Sequence, residues 1–147
     1  MIDEIDDIGS LLHQASASLD RHSDEVLHER LGIGLSQFRI LLSLLRDDGQ
    51  SQVLIAENLD QTEASISRQI GLLKTKKLID VRPNPVSKRE KLIFITGKGQ
   101  MLGESGLSIL NSYHSPLFRD ITDHDQAALK AILKTIQRHL DQLDYEN

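Results

Sequence analysis

The chain has 147 residues, with 39% hydrophobic and 27% charged positions and 17 Lys and Arg against 22 Asp and Glu. That is an ordinary globular balance, large enough for one real core, and it excludes a composition-driven disordered chain. The absence of Cys and Trp, with aromatics at 3%, excludes a disulfide scaffold, thiol catalysis and thiolate-bound metal, and argues against a nucleic-acid surface of stacked rings.

Ile5, Ile8, Leu12, Ala15, Leu19, His22 and Val26 recur at alternating spacings of three and four, which predicts a long first helix ending near Arg30. Gly32 and Gly34 mark the break. A second helix follows, with Ser36 as the expected N-cap and Phe38, Leu41, Leu42 and Leu45 on its buried face; Asp47, Asp48 and Gly49 end it. Two short helices come next. Ser51 caps one, whose Val53, Leu54, Ala56 and Leu59 supply apolar contacts. Asp60 and Gln61 make a turn. Thr62 caps the other, whose Ile66, Ile70 and Leu73 face inward. Such a pair is a helix-turn-helix.

Leu78 to Arg82 reads as a strand, residues 83–89 as a loop rich in Pro, Lys and Arg, and Lys91 to Thr96 as a returning strand with Leu92 and Phe94 opposite Ile93 and Ile95. These are the only strands the sequence predicts, and their position after a helix-turn-helix describes a wing. A helix runs from about Lys98 to Ser115, and Pro116 stops or kinks it. The last helix begins at Thr122 and carries the stripe Leu129, Ile132, Leu133, Ile136, Leu140 and Leu143.

The charge is unevenly placed. Residues 65–98 hold nine Lys and Arg and two acids, a net +7, and the remainder carries −12. A localised basic segment in an acidic body is either a polyanion contact or a solvated face. No nucleophile, base and orienting acid form a recognisable motif, so no enzymatic activity is expected. The six His residues include no pair at a helical spacing of three or four, and Gly97, Gly99 and Gly103 do not fit a nucleotide-binding fingerprint. No zinc and no other cofactor is expected. No apolar run approaches a membrane span, and the acidic start MIDEIDDIGS does not read as a secretory signal, so a cytoplasmic protein without membrane contact is expected.

The order of elements resembles the MarR family of winged helix-turn-helix regulators. Residues 55–79, IAENLDQTEASISRQIGLLKTKKLI, are similar to its helix-turn-helix; residues 83–99, PNPVSKREKLIFITGKG, to its wing; residues 118–136, FRDITDHDQAALKAILKTI, to its closing helix. The resemblance implies a mainly α fold with a small wing of two or three strands. It implies dimerisation helices at 1–30 and 98–147 around a DNA-binding domain at 31–97. It also implies a homodimeric repressor on double-stranded, pseudo-palindromic DNA, with a small-molecule effector as a further partner.

Helix 62–76 is then the recognition helix. Arg68 and Gln69 are the expected base readers, because Arg pairs with guanine and Gln with adenine. Ser65 and Ser67 reach bases or phosphates, and Thr62 either caps the helix or meets a phosphate. Lys88 and Arg89 at the wing tip face the minor groove. Lys74, together with Lys76, Lys77 and Lys91, is phosphate-facing or solvated, and Ser51 and Gln52 approach the backbone. Ile5, Ile8 and Leu12, with Leu133, Ile136, Leu140 and Leu143, are the expected dimer contacts. A winged-helix module that binds another protein is the competing reading.

Four positions depart from the family pattern. Ser87 stands where an acid usually orients the wing arginine, Lys77 and Asp60 where Gly is common, and Pro116 interrupts a helix that is often longer. Left-handed backbone at Lys77 costs more than at Gly; Asp tolerates it better.

Overall fold

The computed structural model describes residues 7–87 and 89–145. In chain order the elements are α1 (Ile8–Leu31), α2 (Leu35–Arg46), β1 (Gln50–Ser51), α3 (Gln52–Asn58), α4 (Glu63–Thr75), β2 (Ile79–Pro83), β3 (Lys91–Ile95), α5 (Gly97–His114), a 3-10 turn (Ser115–Phe118) and α6 (Asp123–Tyr145). They form two compact units, one ending at Leu110 and the other beginning at Asn111.

Local chemistry sets most boundaries of the first unit. Asp7 caps α1 by accepting the Ser10 amide, and Gly32 ends it at φ 67°. Ser51 caps α3 through the Leu54 amide, and Thr62 caps α4 through the Ser65 amide. The turn between α3 and α4 passes through Asp60 at φ 51°, and α4 exits through Lys77 at φ 61°. Both are left-handed non-glycine residues, at the two positions where a glycine is expected.

The start of α2 differs from the expectation. Its N-cap is Gly34, which has no side chain to offer, and Ser36 lies inside the helix. The capping oxygen comes from α1: Asp24 Oδ1 accepts the Leu35 amide at 2.7 Å. On α2 the fully buried aliphatic residues are Ile40, Leu41 and Leu44, with Phe38 beside them, whereas Leu42 and Leu45 are half-buried. On α3 the buried residues are Ile55 and Ala56; Val53 and Leu54 are exposed.

The sheet has one strand more than the strand pattern predicts, and three is the larger of the two sizes the resemblance implies. Its order is β1-β3-β2, all antiparallel, with Gln50 opposite Ile93 and Ser51 opposite Leu92. Two residues carry no detectable period, which is why β1 is missed. It is held from below by Gln50, whose buried amide donates to the Ser43 and Asp47 carbonyls. Gly49, at φ 74°, lies over the Phe94 ring, which a side chain there would strike. The Asp48 carboxylate accepts the Ile95 amide at 2.8 Å.

The core of this unit joins Leu27 of α1, Ile40, Leu41 and Leu44 of α2, Ile55 of α3, Ile66 and Leu73 of α4, Ile79 of β2 and Ile93 of β3. Each such fully buried side chain contributes roughly 1.5–3 kcal/mol. The N-terminal part of α5 closes it with small residues: Gly99, Gly103 and Gly106 are buried, and a Cβ on each would meet the Leu78 carbonyl, Leu45 and Phe38 respectively.

In the second unit, Pro116 converts the end of α5 into the 3-10 turn. Thr122 Oγ1 accepts the Asp125 amide and starts α6. The Gln126 amide donates to the Phe118 and Ile121 carbonyls and ties the turn to the helix. Among the described side chains of α6 none is buried. No helix among the described residues is long and apolar enough to cross a membrane.

Candidate nucleic-acid interface

At 100° per residue, Ala64, Arg68, Gly71 and Thr75 lie opposite Ile66, Ile70 and Leu73 on α4. The first four are exposed and the last three buried. Arg68 therefore stands near the middle of the outward face. Ser67 is exposed on one flank. Ser65 and Gln69, on the other flank, are half-buried and already bonded: the Ser65 hydroxyl donates to Gln61 Oε1 at 3.3 Å, and Gln69 Oε1 accepts from Gln37 Nε2 at 3.3 Å. Thr62 is occupied as the cap, its hydroxyl oxygen 3.1 Å from the Ser65 amide, and is exposed to solvent.

Three outward residues, Ala64, Gly71 and Thr75, were missed at the sequence level. Ala64 and Gly71 carry no polar group, so a search by residue chemistry passes over them; the helical phase alone finds them. A Cβ on Gly71 would meet nothing within 4 Å. The protein's own packing does not need that glycine, and the outward face is left low at its centre.

The wing is held by an Asx turn and by hydrogen bonds across its loop. Asn84 Oδ1 accepts the Val86 amide, Asn84 Nδ2 donates to the Glu90 carboxylate, and the Glu90 amide donates to the Ser87 carbonyl. Val86 is 94% exposed at the tip. Arg89 and Ser87 are exposed, and among the described residues no ion pair holds Arg89. Lys88 lies outside the described residues. Behind the tip, Arg82 of β2 stacks 4.4 Å from the centroid of the Phe94 ring.

A cleft of about 500 Å³ brings the wing to the helix-turn-helix: it is lined by Gln52, Val53, Glu63, Ser87, Arg89, Glu90 and Lys91. The Gln52 amide donates to the Glu63 carbonyl at 3.3 Å and locks α3 to the first turn of α4. Ser51 is the cap of α3 at the same edge. The expected positions around the start of α4, the start of α3 and the wing thus share one face. Two acids, Glu63 and Glu90, also line the cleft and were not singled out from the sequence.

The lysines divide. Lys74, Lys77 and Lys91 are exposed. Lys76, expected to face phosphate or solvent, turns inward: its Nζ donates to the Gly32 carbonyl at 2.7 Å and to Gln37 Oε1 at 3.2 Å. Of the expected dimer contacts, Ile8, Leu12, Leu133, Leu140 and Leu143 are exposed and Ile136 is half-buried; Ile5 lies outside the described residues. Among the described residues no group of three His, Asp or Glu side chains is placed to hold a metal ion.

The sequence model of the MarR family matches residues 31–90. No curated protein matches the chain by sequence. Among solved structures, the chain is similar to wild-type apo MarR from E. coli, with 26% identity and a TM-score of 0.80 over 91% of this chain and 98% of that one. It is equally similar to a mutant E. coli MarR complexed with operator DNA, with 26% identity and a TM-score of 0.81 over 92% and 97% of the two chains. BpsR from Bordetella bronchiseptica shares the fold, with 21% identity and a TM-score of 0.78 over 88% and 98%.

Proposed function

We propose that the chain, whose residues 31–90 match the MarR family model, is a MarR-type winged helix-turn-helix regulator that acts as a cytoplasmic homodimer and represses transcription by binding a pseudo-palindromic DNA site. The observation that carries this reading is the shared face: Arg68 stands outward on α4 while the wing's Arg89 lines a cleft with Gln52 and Glu63 at the start of the helix-turn-helix. A helix seated in the major groove by its N-terminal half brings a wing so placed over the neighbouring minor groove. The likeness to a MarR bound to operator DNA supports the same docking. Arg68 reads a guanine edge; Ser67, Ser65, Thr62, Lys74, Ser51 and Gln52 position the phosphates; Lys88 and Arg89 supply charge to the minor groove. No enzymatic step is part of this function. A small-molecule effector completes the proposal.

The dimer follows from α6. Leu133, Leu140 and Leu143 form an apolar stripe open to solvent, with Leu129 and Ile132 beside them. Contiguous apolar surface of this kind marks an association site. A second copy is the partner a palindromic DNA site requires.

Binding to random duplex DNA, with selection of the retained sequences, tests the proposal. A palindromic motif is expected. Arg68→Ala should cost about 1–3 kcal/mol on the selected site and relax preference at one position per half-site. Arg89→Ala should weaken all duplexes and lower the salt slope by about one counterion. Absence of salt-dependent retention on any duplex would refute DNA binding and leave a protein-interaction module.

A further inference from the structure

Gln37 on α2 is 7% exposed, and both ends of its amide are bound. Its Oε1 accepts from Lys76 Nζ at 3.2 Å, and its Nε2 donates to Gln69 Oε1 at 3.3 Å. The lysine is anchored in turn by the Gly32 carbonyl at 2.7 Å. The chain Gly32, Lys76, Gln37, Gln69 thus runs from the end of α1 through α2 to the recognition helix.

Its direction is set by chemistry. An ammonium group only donates. The Gln37 atom beside Lys76 must therefore be its oxygen, and the atom beside Gln69 must be its nitrogen. Turning the Gln37 amide over would bring NH2 against the ammonium and leave a buried carbonyl facing the Gln69 carbonyl. Gln69 must then keep its own oxygen inward and hold its NH2 toward the free side. The relay fixes which end of the Gln69 amide is available.

Resting on the proposed binding of DNA by α4, we infer that Gln69 meets the major groove as a hydrogen-bond donor only, oriented by Gln37 and Lys76. A two-sided contact with adenine needs the amide oxygen as well as the nitrogen, and that oxygen is turned to Gln37. A lone donor is accepted by guanine N7 or O6, thymine O4 or adenine N7. Cytosine offers no acceptor on its major-groove edge. Gln69 therefore disfavours cytosine at one position of each half-site. Gln37 and Lys76 are positioning residues: they touch no base, and they decide the sign of the contact.

The test compares sequences selected from random duplex DNA by the wild type, Gln69→Lys, Gln69→Glu and Gln37→Glu. Lys keeps a donor outward and should keep the exclusion of cytosine. Gln69→Glu presents an acceptor and should turn that position toward cytosine, by roughly tenfold. Gln37→Glu accepts from Lys76 and then faces Gln69 with a second acceptor. Gln69 must turn its NH2 inward and its oxygen outward, so this variant should shift the same position the same way without altering any residue on the DNA face. A merely structural role for Gln37 would lower affinity without reversing one base preference. If Gln37→Glu does not fold, Gln69→Lys against Gln69→Glu still decides the polarity. Equal behaviour of those two variants overturns the inference, as does a wild type that accepts cytosine at every position. A wild type that selects no sequence at all overturns the DNA reading and this inference together, whereas a clear motif with no change in any variant overturns this inference and leaves the DNA reading standing.

Discussion

The recognition helix and the last helix carry apolar stripes of the same period and treat them in opposite ways. On α4, Ile66, Ile70 and Leu73 are all buried, between α2, α3 and the sheet. On α6, Leu129, Ile132, Leu133, Leu140 and Leu143 remain between 39% and 56% exposed. The first stripe is completed within the chain, so α4 is held rigidly and its opposite face is left to hydrophilic and small residues. The second stays exposed among the described residues of its own unit. A helix with such a stripe is stable when something covers it, and the proposed dimer supplies that cover. Reading DNA and pairing subunits thus fall to helices distinguished by whether their apolar side is already used.

The largest expected effect breaks the second half of that comparison. Replacing both Ile136 and Leu140 by Asp places two charges in the proposed subunit contact, where burial without a partner is strongly unfavourable. Sedimentation should show the dimer dissociated or the chain unfolded. A wild type that stays monomeric at micromolar concentration would remove the basis of the experiment and of the proposed dimer.

Leu73→Ala breaks the first half. Leu73 is fully buried, so the cavity and lost transfer energy should cost about 2–5 kcal/mol. The loss should be visible in thermal unfolding at any protein concentration. Leu133→Ala on α6 should instead lower the melting temperature in a concentration-dependent way, because it weakens association. If both variants respond alike to dilution, the distinction between the two helices fails.

Lys77→Gly sharpens the picture of how α4 ends. Lys77 holds φ 61°, a conformation that costs a non-glycine residue about 1–2 kcal/mol. Glycine removes that strain but loses more freedom on folding, so the net gain should be about 0.5–1 kcal/mol. The melting temperature should rise. Asp60→Gly should raise it less, since Asp tolerates left-handed backbone better. An unchanged melting temperature in Lys77→Gly would mean that the turn is not strained.

The smallest effect concerns the start of α1. The Asp7 carboxylate accepts the Ser10 backbone N–H and the Ser10 hydroxyl, and the backbone hydrogen bond is the main cause that holds its pKa below the ordinary carboxylate range. A depressed folded-state pKa contributes stability above the unfolded value, lost as pH falls through the folded one. Protection of the Ser10 amide from exchange should therefore decline under acid conditions, and Asp7→Ala should abolish both the protection and its pH dependence. Equal protection in Asp7→Ala would show that the cap contributes nothing.

What the sequence determined by itself was local. Ser51 and Thr62 as caps, the break at Pro116 and the inward trio Ile66, Ile70 and Leu73 all follow from groups no more than two helical turns apart, and the resemblance adds left-handed backbone at Asp60 and Lys77. At that range helix geometry leaves few choices. Those expectations match the structure, as does the resemblance to the winged-helix family. What tertiary structure decided were pairings between distant residues. Asp24 caps α2 from α1 in place of Ser36, β1 pairs with β3 across more than forty residues, and Lys76 turns from the surface to Gln37 and Gly32. Val53 and Leu54 are exposed where apolarity alone predicts contact. In each case several partners are compatible with the residue type. Only the packing of α1, α2 and the sheet around one core selects among them, and it is that selection which fixes the direction of the Gln69 amide.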